Sequence, residues 1–250
     1  MEYIVGNVDF FGRNFNVDSR VLIPRVDSEV LIETTLNQIV PLILKRNGVT
    51  NLSQLDRPLR IMEIGVGSGC LLITLLLELE KIGLQKVRAF GIDKSEGALK
   101  VATLNAQNLI PKYMELAGKD LKELEFIQHD IFKDDDWIHK DLEMDLIISN
   151  PPYIPTNVVQ NELDKDVSTH EPHMALDGGL DGFDFYNYLL VDNVLSSKYN
   201  LNGHCVMEVG YDQANSLRER IINSRSSLQF LGTAKDLSGY ERVVMVETKI

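Results

Sequence analysis

"LRIMEIGVGSGCLLITLLLELEK" (Leu59–Lys81) changes its period in the middle. Apolar residues crowd up to Ile64, glycines then alternate with Val66 and Ser68, and a long apolar run begins near Cys70. The pattern predicts a short buried strand, a tight turn and a helix. Gly65, Gly67 and Gly69 let the backbone turn sharply and approach a ligand, with the helix amides behind them. The G-x-G-x-G spacing is neither the G-x-G-x-x-G of dinucleotide sites nor a P-loop, because no Gly-Lys-Ser/Thr follows. A pyrophosphate or triphosphate ligand is therefore disfavoured.

Working outward, "VRAFGID" (Val87–Asp93) reads as the next strand and "SEGALKVATLNAQNL" (Ser95–Leu109) as a helix. Ser95 is its cap, and Ala98, Val101 and Leu104 form its apolar stripe. "LEFIQHDIF" (Leu124–Phe132) and "LIIS" before Asn150 read as two further strands, joined by the acidic "DDDWIHKDLEMD". Near the end, "GHCVMEVGY" (Gly203–Tyr211) and "RVVMVETK" (Arg242–Lys249) read as strands flanking the amphipathic "DQANSLRERIINS". Upstream, "YIVGNVDFFGRNFNV" (Tyr3–Val17) reads as short strands with turns, forming a hairpin. After it a helix is expected, capped by Asp27 or Ser28, with Val30, Leu31, Leu36 and Ile39 at helical spacing. The polar stretch Asn47–Pro58 is taken as a loop insertion. Strands alternating with helices give an α/β, Rossmann-like doubly wound sheet. The expected division is a hairpin and lead-in segment over residues 1–24 and a catalytic unit over 25–250.

Ligands of such sheets lie beyond the carboxyl ends of the strands. Asp93 ends a strand where a carboxylate accepts from ribose hydroxyls. Asp130, read as ending the following strand, is placed to accept from an adenine amino group, with Ile131 supplying amide and apolar contact. A glycine loop and two strand-end acids, with no phosphate-binding lysine, fit a nucleoside without a phosphate linker, such as S-adenosylmethionine. Taken singly, each acid is an ordinary solvated strand end and the glycine loop an ordinary turn. Their order on successive strands is what argues for a site. "HEPH" (His170–His173) is not H-E-x-x-H and has no cysteine nearby, so no metal is expected. Cys70 starts a helix, which lowers thiol pKa values, but its apolar surroundings favour a small core residue. Ser68 and Ser149 lack a His/Asp arrangement, so a hydrolase is not indicated.

"NPPY" (Asn150–Tyr153) follows the fourth strand. Its prolines fix φ and remove backbone donors. The Asn150 side-chain oxygen and the Pro151 carbonyl can then accept from one planar –NH2 group, and Tyr153 can pack on its flat face. An amide nitrogen is a poor nucleophile, so orientation and desolvation matter more than a strong base. The bland reading is a rigid proline turn ending a strand.

With "EIGVGSG" and "NPPY" together, the chain resembles class I S-adenosylmethionine-dependent methyltransferases acting on planar –NH2 groups. The lead-in "LIPRVDSE", then "EPHMALDGGLDGFDFY", "EVGYDQA" and "KDLSGYERVV", are similar to segments of the HemK/PrmC family of protein-(glutamine-N5) methyltransferases. The resemblance runs from Tyr3 to Val244. It implies methylation of the glutamine in the Gly-Gly-Gln motif of peptide chain release factors. It also implies that Gly65, Val66, Gly67, Ser68, Gly69, Asp93, Asp130 and Ile131 hold S-adenosylmethionine, with Asn150 beside it. Asn150, Pro151, Pro152 and Tyr153 would hold the glutamine, the catalytic contacts being those of Asn150, Pro151 and Tyr153. Pro24 and Arg25 would lie at the pocket, with Arg25 in the substrate-binding set, and Arg25 or Glu29 would order the lead-in segment. The family's second proline in the lead-in motif is Val26 here, which still reads closer to release-factor enzymes than to those acting on a ribosomal protein. The family's N-terminal helical bundle is expected to be missing, the chain starting near where it would end. The stretches Asn47–Pro58 and Pro111–Glu123 look longer than usual.

Bulk composition agrees. The chain is 44% hydrophobic and 25% charged, an ordinary globular balance. The net charge of -12 disfavours a nucleic-acid partner and suits a basic protein. Its two cysteines form no framework, so a reducing compartment is expected. No run approaches the ~18 apolar residues of a membrane span, and no leader is evident. A cytoplasmic monomer follows, or an organellar one if an N-terminal segment was removed. Three other readings stay open: an adenine-N6 methyltransferase on RNA or DNA, a glutamine methyltransferase acting on a ribosomal protein, and a module that binds the cofactor without catalysis.

Overall fold

The computed structural model describes residues 2–114, 122–133, 139–163 and 170–249. Parts of the acidic connection after Phe132 and of the stretch 111–123 lie outside them.

A helical turn, α1 (Glu2–Val5), precedes a two-stranded hairpin of β1 (Asn7–Phe10) and β2 (Arg13–Asn16). Tyr3 to Val5, read as strand, are thus helical. Phe11 and Gly12 join the strands with φ of 52° and 69°. Positive φ at both central residues suits a tight hairpin, because that turn twists in the sense of its strands. Phe11 carries a side chain in this left-handed region, and its amide is held by the Glu29 carboxylate at 2.7 Å. Phe10 and Phe15 are buried against the main core, so the hairpin packs onto the sheet domain.

The segment after it is helical from Val26 to Arg46: a 3-10 turn (Val26–Ser28), α2 (Glu29–Thr34), a wide π turn (Thr35–Ile39) and α3 (Val40–Arg46). Pro41, which has no N–H to donate, sits at the junction of the π turn and α3. Neither Asp27 nor Ser28 caps the helix through its side chain. Ser28 is already helical at φ -72°, and its hydroxyl is used elsewhere.

The sheet has seven strands in the order β5-β4-β3-β6-β7-β9-β8. These are β3 (Leu59–Ile64), β4 (Val87–Asp93), β5 (Lys122–Gln128), β6 (Met144–Ser149), β7 (Leu201–Glu208), β8 (Leu228–Lys235) and β9 (Glu241–Thr248). β5, β4, β3, β6 and β7 run parallel, while β9 is antiparallel to both its neighbours. Central strands buried on both faces read as unbroken apolar runs, and β6 is buried at every position. Along the strands alternate residues go to opposite faces: Ile61, Leu146 and Ile148 join one core cluster, Met62, Ile64 and Ile147 the other. α4 (Cys70–Lys81) and α5 (Glu96–Leu109) follow β3 and β4 as predicted, with the Ser95 hydroxyl accepting from the Ala98 amide.

Three further differences concern the sheet and α5. β8 was not anticipated. It is a bulged edge strand, mostly half-buried, so its sequence lacks a clean alternation. β5 stops at Gln128, leaving Asp130 two residues past its end. Leu104 is exposed, and Ala102 and Asn105 complete the buried face of α5 instead.

The chain runs outward from β3 through β4 to β5, then returns to β6 on the other side of β3. That reversal opens a crevice beyond β3 and β6, where ligands of doubly wound sheets bind. The glycine loop follows β3 and Asn150 follows β6.

Candidate active site

A cavity of about 440 Å³ fills this crevice, within the range of small-molecule sites. Gly65–Ser68 line it from β3, Asp93 from β4, His129–Phe132 from beyond β5, and Ser149–Pro152 from β6. The lead-in segment closes one side with Pro24, Arg25 and Ser28. A smaller cavity of about 210 Å³ adjoins it, sharing Arg25, Asn150 and Pro151 and adding Tyr153 and Glu208.

The glycine loop is built from its own backbone. Gly65, Gly67 and Gly69 have φ of 74°, 53° and 80°, and a Cβ at Gly65 or Gly67 would meet open space. Left-handed backbone, not crowding, selects glycine at those two positions. At Gly69, which is not among the cavity-lining residues, a Cβ would also press on Ile73 at 3.0 Å. The Gly65 and Val66 amides donate to the Ile92 carbonyl at 2.8 and 3.0 Å. Asp93 receives the Gly67 amide at 3.0 Å and the Ser95 amide at 2.8 Å. Burial raises the Asp93 pKa despite these amides. Behind the loop, buried Glu63 accepts the Leu72 amide at 3.0 Å, and desolvation pushes its carboxyl well up. Asn105 donates to Ser68 and Asn16 carbonyls, tying loop to hairpin. Cys70 is half-buried, packed against the core on one side and lining the cavity on the other, and desolvation raises its thiol.

On the far wall, Asp130 pairs with Lys94 at 3.0 Å and accepts the Phe132 amide. Its partial burial opposes ionisation, but Lys94 and that amide hold the carboxyl below its ordinary range. Ile131 is buried on the cavity wall, and Phe132 meets Phe185 and Tyr188 with ring centroids 4.9 Å apart. The Phe132–Phe185 rim was not anticipated, although "HDIF" carried the aromatic in plain view.

The Asn150–Tyr153 loop is held from outside itself. The Asn150 Nδ2 group donates to Ser28 Oγ at 3.3 Å, and no described residue donates to its Oδ1. The Ser149 hydroxyl donates to the Ile64 carbonyl at 2.7 Å, locking the ends of β3 and β6 together. The segment "LDGGLDG" wraps around the prolines and Tyr153. The Ile154 amide donates to the Leu176 carbonyl, the Gly178 amide donates to the Ile154 carbonyl, and the Thr156 amide donates to the Gly179 carbonyl. A Cβ on Gly178 would lie 2.7 Å from the Tyr153 Cα, and one on Gly182 2.3 Å from the Tyr153 carbonyl oxygen. That oxygen accepts Gln213 Nε2 at 2.9 Å.

Tyr153 lines the smaller cavity, not the larger. Its hydroxyl donates to Glu208 Oε1 at 3.3 Å. Glu208 ends β7 with 2% of its surface exposed, and desolvation pushes its pKa up to about 7. Arg25 reaches Glu171 of "HEPH" in an ion pair, while Glu29 holds the hairpin turn. So the two candidates for ordering the lead-in segment each take one end of it. Ser28, Glu171 and Glu208 each lie within a family-like segment, "LIPRVDSE", "EPHMALDGG" and "EVGYDQA", but their parts in the site come only from distant partners.

A family model described as N-6 DNA Methylase matches residues 38–176. The chain is 32% identical over 244 residues to the release factor glutamine methyltransferase of Geobacter sulfurreducens, covering 98% of this chain and 72% of that one. It is 30% identical over 244 residues to the protein of that name from Bacillus subtilis, covering 98% and 74%. Among solved structures it is similar to the human methyltransferase 10 domain containing protein, with TM-score 0.57 at 16% identity, over 95% of this chain and 89% of that one. At that identity the likeness bears on the fold alone.

Proposed function

The chain belongs to the release factor glutamine methyltransferase family, and from that premise we propose that it methylates the side-chain amide of the Gly-Gly-Gln glutamine in a release factor. The observation that carries this reading is the state of Asn150. Its –NH2 is committed to Ser28, and its oxygen has no donor from the described residues, at the edge of the cavity lined by the glycine loop.

The donor set fits S-adenosylmethionine. Backbone of Gly65–Ser68 would lie against the methionine part, with Gly69 shaping the turn from behind, Asp93 would accept from the ribose, and Asp130, Ile131 and Phe132 would frame the adenine. When bound, that cofactor supplies an electrophilic methyl group. The rest is done by the chain. Asn150 Oδ1 and the Pro151 carbonyl accept the two N–H bonds of the glutamine amide. Pro151 and Pro152 bring no competing donor to that spot. Tyr153 and Arg25 wall the smaller cavity through which the glutamine side chain would enter. Two accepting oxygens would favour positive charge developing on the nitrogen as it takes the methyl group, the carbon–sulfur bond of the sulfonium breaking with its electron pair left on sulfur. The nitrogen then sheds one proton to water. A monomer in the cytoplasm and no direct contact with nucleic acid are parts of the same reading. Among the described residues, no helix is long and apolar enough to cross a membrane.

The N-6 DNA Methylase match favours one rival, because adenine also offers a planar –NH2. The net charge of -12 opposes it, since a polyanion needs basic surface. Labelled cofactor with a release factor and its Gly-Gly-Ala variant separates the two. Label is expected on the first protein and not the second. Label that nuclease removes would establish the rival.

A further inference from the structure

Asn150 can clamp a substrate –NH2 only with its oxygen forward. Flipped, it would set donor against donor. Its neighbour Ser28 does not decide the flip alone, because a hydroxyl both donates and accepts. It becomes an obligate acceptor towards Asn150 only if its single proton is given elsewhere. The Ser28 side chain is among the groups that favour the ionised Glu208 carboxyl by hydrogen bonding, which puts that carboxyl within its reach. The carboxylate is buried, Oε1 is engaged by Tyr153, and Oε2 has no hydrogen-bond partner among the described residues.

We propose that Ser28 and Glu208 are positioning residues for the transfer, fixing the Asn150 amide so that its oxygen faces the substrate. The inference rests on the amide-methylating reading above. Ionised Glu208 draws the Ser28 and Tyr153 protons, which leaves the Ser28 lone pair for Asn150 Nδ2. A protonated Glu208 releases that constraint, and Ser28 is then free to donate to Asn150 Oδ1. Arg242 of β9 and Asp27 of the turn before α2 face this carboxyl, as do Tyr153, Ser28 and, across the smaller cavity, Arg25. The Tyr186 hydroxyl binds the Glu208 backbone carbonyl at 2.8 Å, and Cys70 feels the carboxyl's charge. Burial outweighs Ser28 and Arg242 and sets the carboxyl near neutrality. The transfer rate should therefore fall as pH drops through that region.

The test follows methyl transfer to release factor from about pH 5 to about pH 9, with melting temperature and product-cofactor binding as folding controls. Glu208→Gln is expected to lose about tenfold or more in rate and to lose the acid limb. Ser28→Ala should lose a similar factor and Ser28→Thr should retain the wild-type profile. The Glu208→Gln/Ser28→Ala double variant should be no slower than the slower single. An acid limb that survives Glu208→Gln, or losses that multiply in the double variant, would overturn the proposal. A wild type that fails to methylate release factor would sink the functional reading instead. The flip itself is read without turnover from the Asn150 side-chain –NH2 NMR signals, assigned by their loss in Asn150→Ala. They should shift in Ser28→Ala and Glu208→Gln but not in Ser28→Thr. Signals unmoved in all three would exclude the network.

Discussion

The glycine loop and the Asn150–Tyr153 loop face each other across one cavity and are held in opposite ways. The first is shaped by residues close in the chain: glycines at positive φ, amides on Ile92, and Asp93 at the next strand end. The second relies on distant partners. Ser28 lies 122 residues from Asn150, Glu208 55 residues from Tyr153, and Gln213 60 residues from the Tyr153 carbonyl. A site that receives a constant cofactor can be locally encoded. A site that must admit a protein side chain is assembled from several parts of the fold, and each part is a place where it can be tuned.

Substitutions can break this contrast, beginning with the largest effect. Asn150→Ala should reduce methyl transfer by ~10²–10³-fold, as loss of one transition-state hydrogen-bonding group does. Calorimetry should find cofactor binding largely kept, because the glycine loop does not depend on Asn150. Next comes pH. Glu208 has a folded pKa above its unfolded one, so the native state holds the proton longer and loses stability as pH rises through that window. Glu208→Gln removes this penalty. Its stability relative to wild type should improve by roughly 3 kcal/mol in all between the ordinary carboxylate range and neutrality, measured by denaturant titration at several pH values. A difference that does not change with pH would mean the carboxyl is not perturbed.

Gly178→Ala should cost ~1–3 kcal/mol, the range of overpacking, since its Cβ would press on the Tyr153 backbone. Transfer should fall more than cofactor affinity. Gly67→Ala meets no obstacle but has φ 53°, so ~1–2 kcal/mol of backbone strain is expected. Here cofactor affinity should fall first. If Gly178→Ala weakened the cofactor as much as Gly67→Ala, the two loops would not be independent.

The same contrast explains what could be read without coordinates. The strand–glycine–helix unit, Ser95 as a cap, a hairpin within Tyr3–Val17 and Asp93 at its strand end are local patterns that the chain shows directly, whereas Asp130 lies two residues past the strand it was expected to end. Asn150 was legible because two prolines and an aromatic beside it form a local oddity. Ser28 was visible only as a candidate cap, because its true partner lies on β6. Glu208 looked like one charge in an apolar strand until the fold buried it beside Tyr153. Arg25 and Glu171 were quoted in separate motifs, and only tertiary structure shows them as one ion pair. β8 escaped because bulges and half-exposure erase the alternation that marks a strand. The acidic stretch after Phe132 lies partly outside the described residues.

The Phe11 turn has a mechanical consequence. Its amide is fastened to Glu29, the residue next to Ser28, and Ser28 touches Asn150. A hairpin tip, a helix start and the Asn150 amide are therefore linked through adjacent residues, so a change at the hairpin turn is felt two contacts away at the cavity edge.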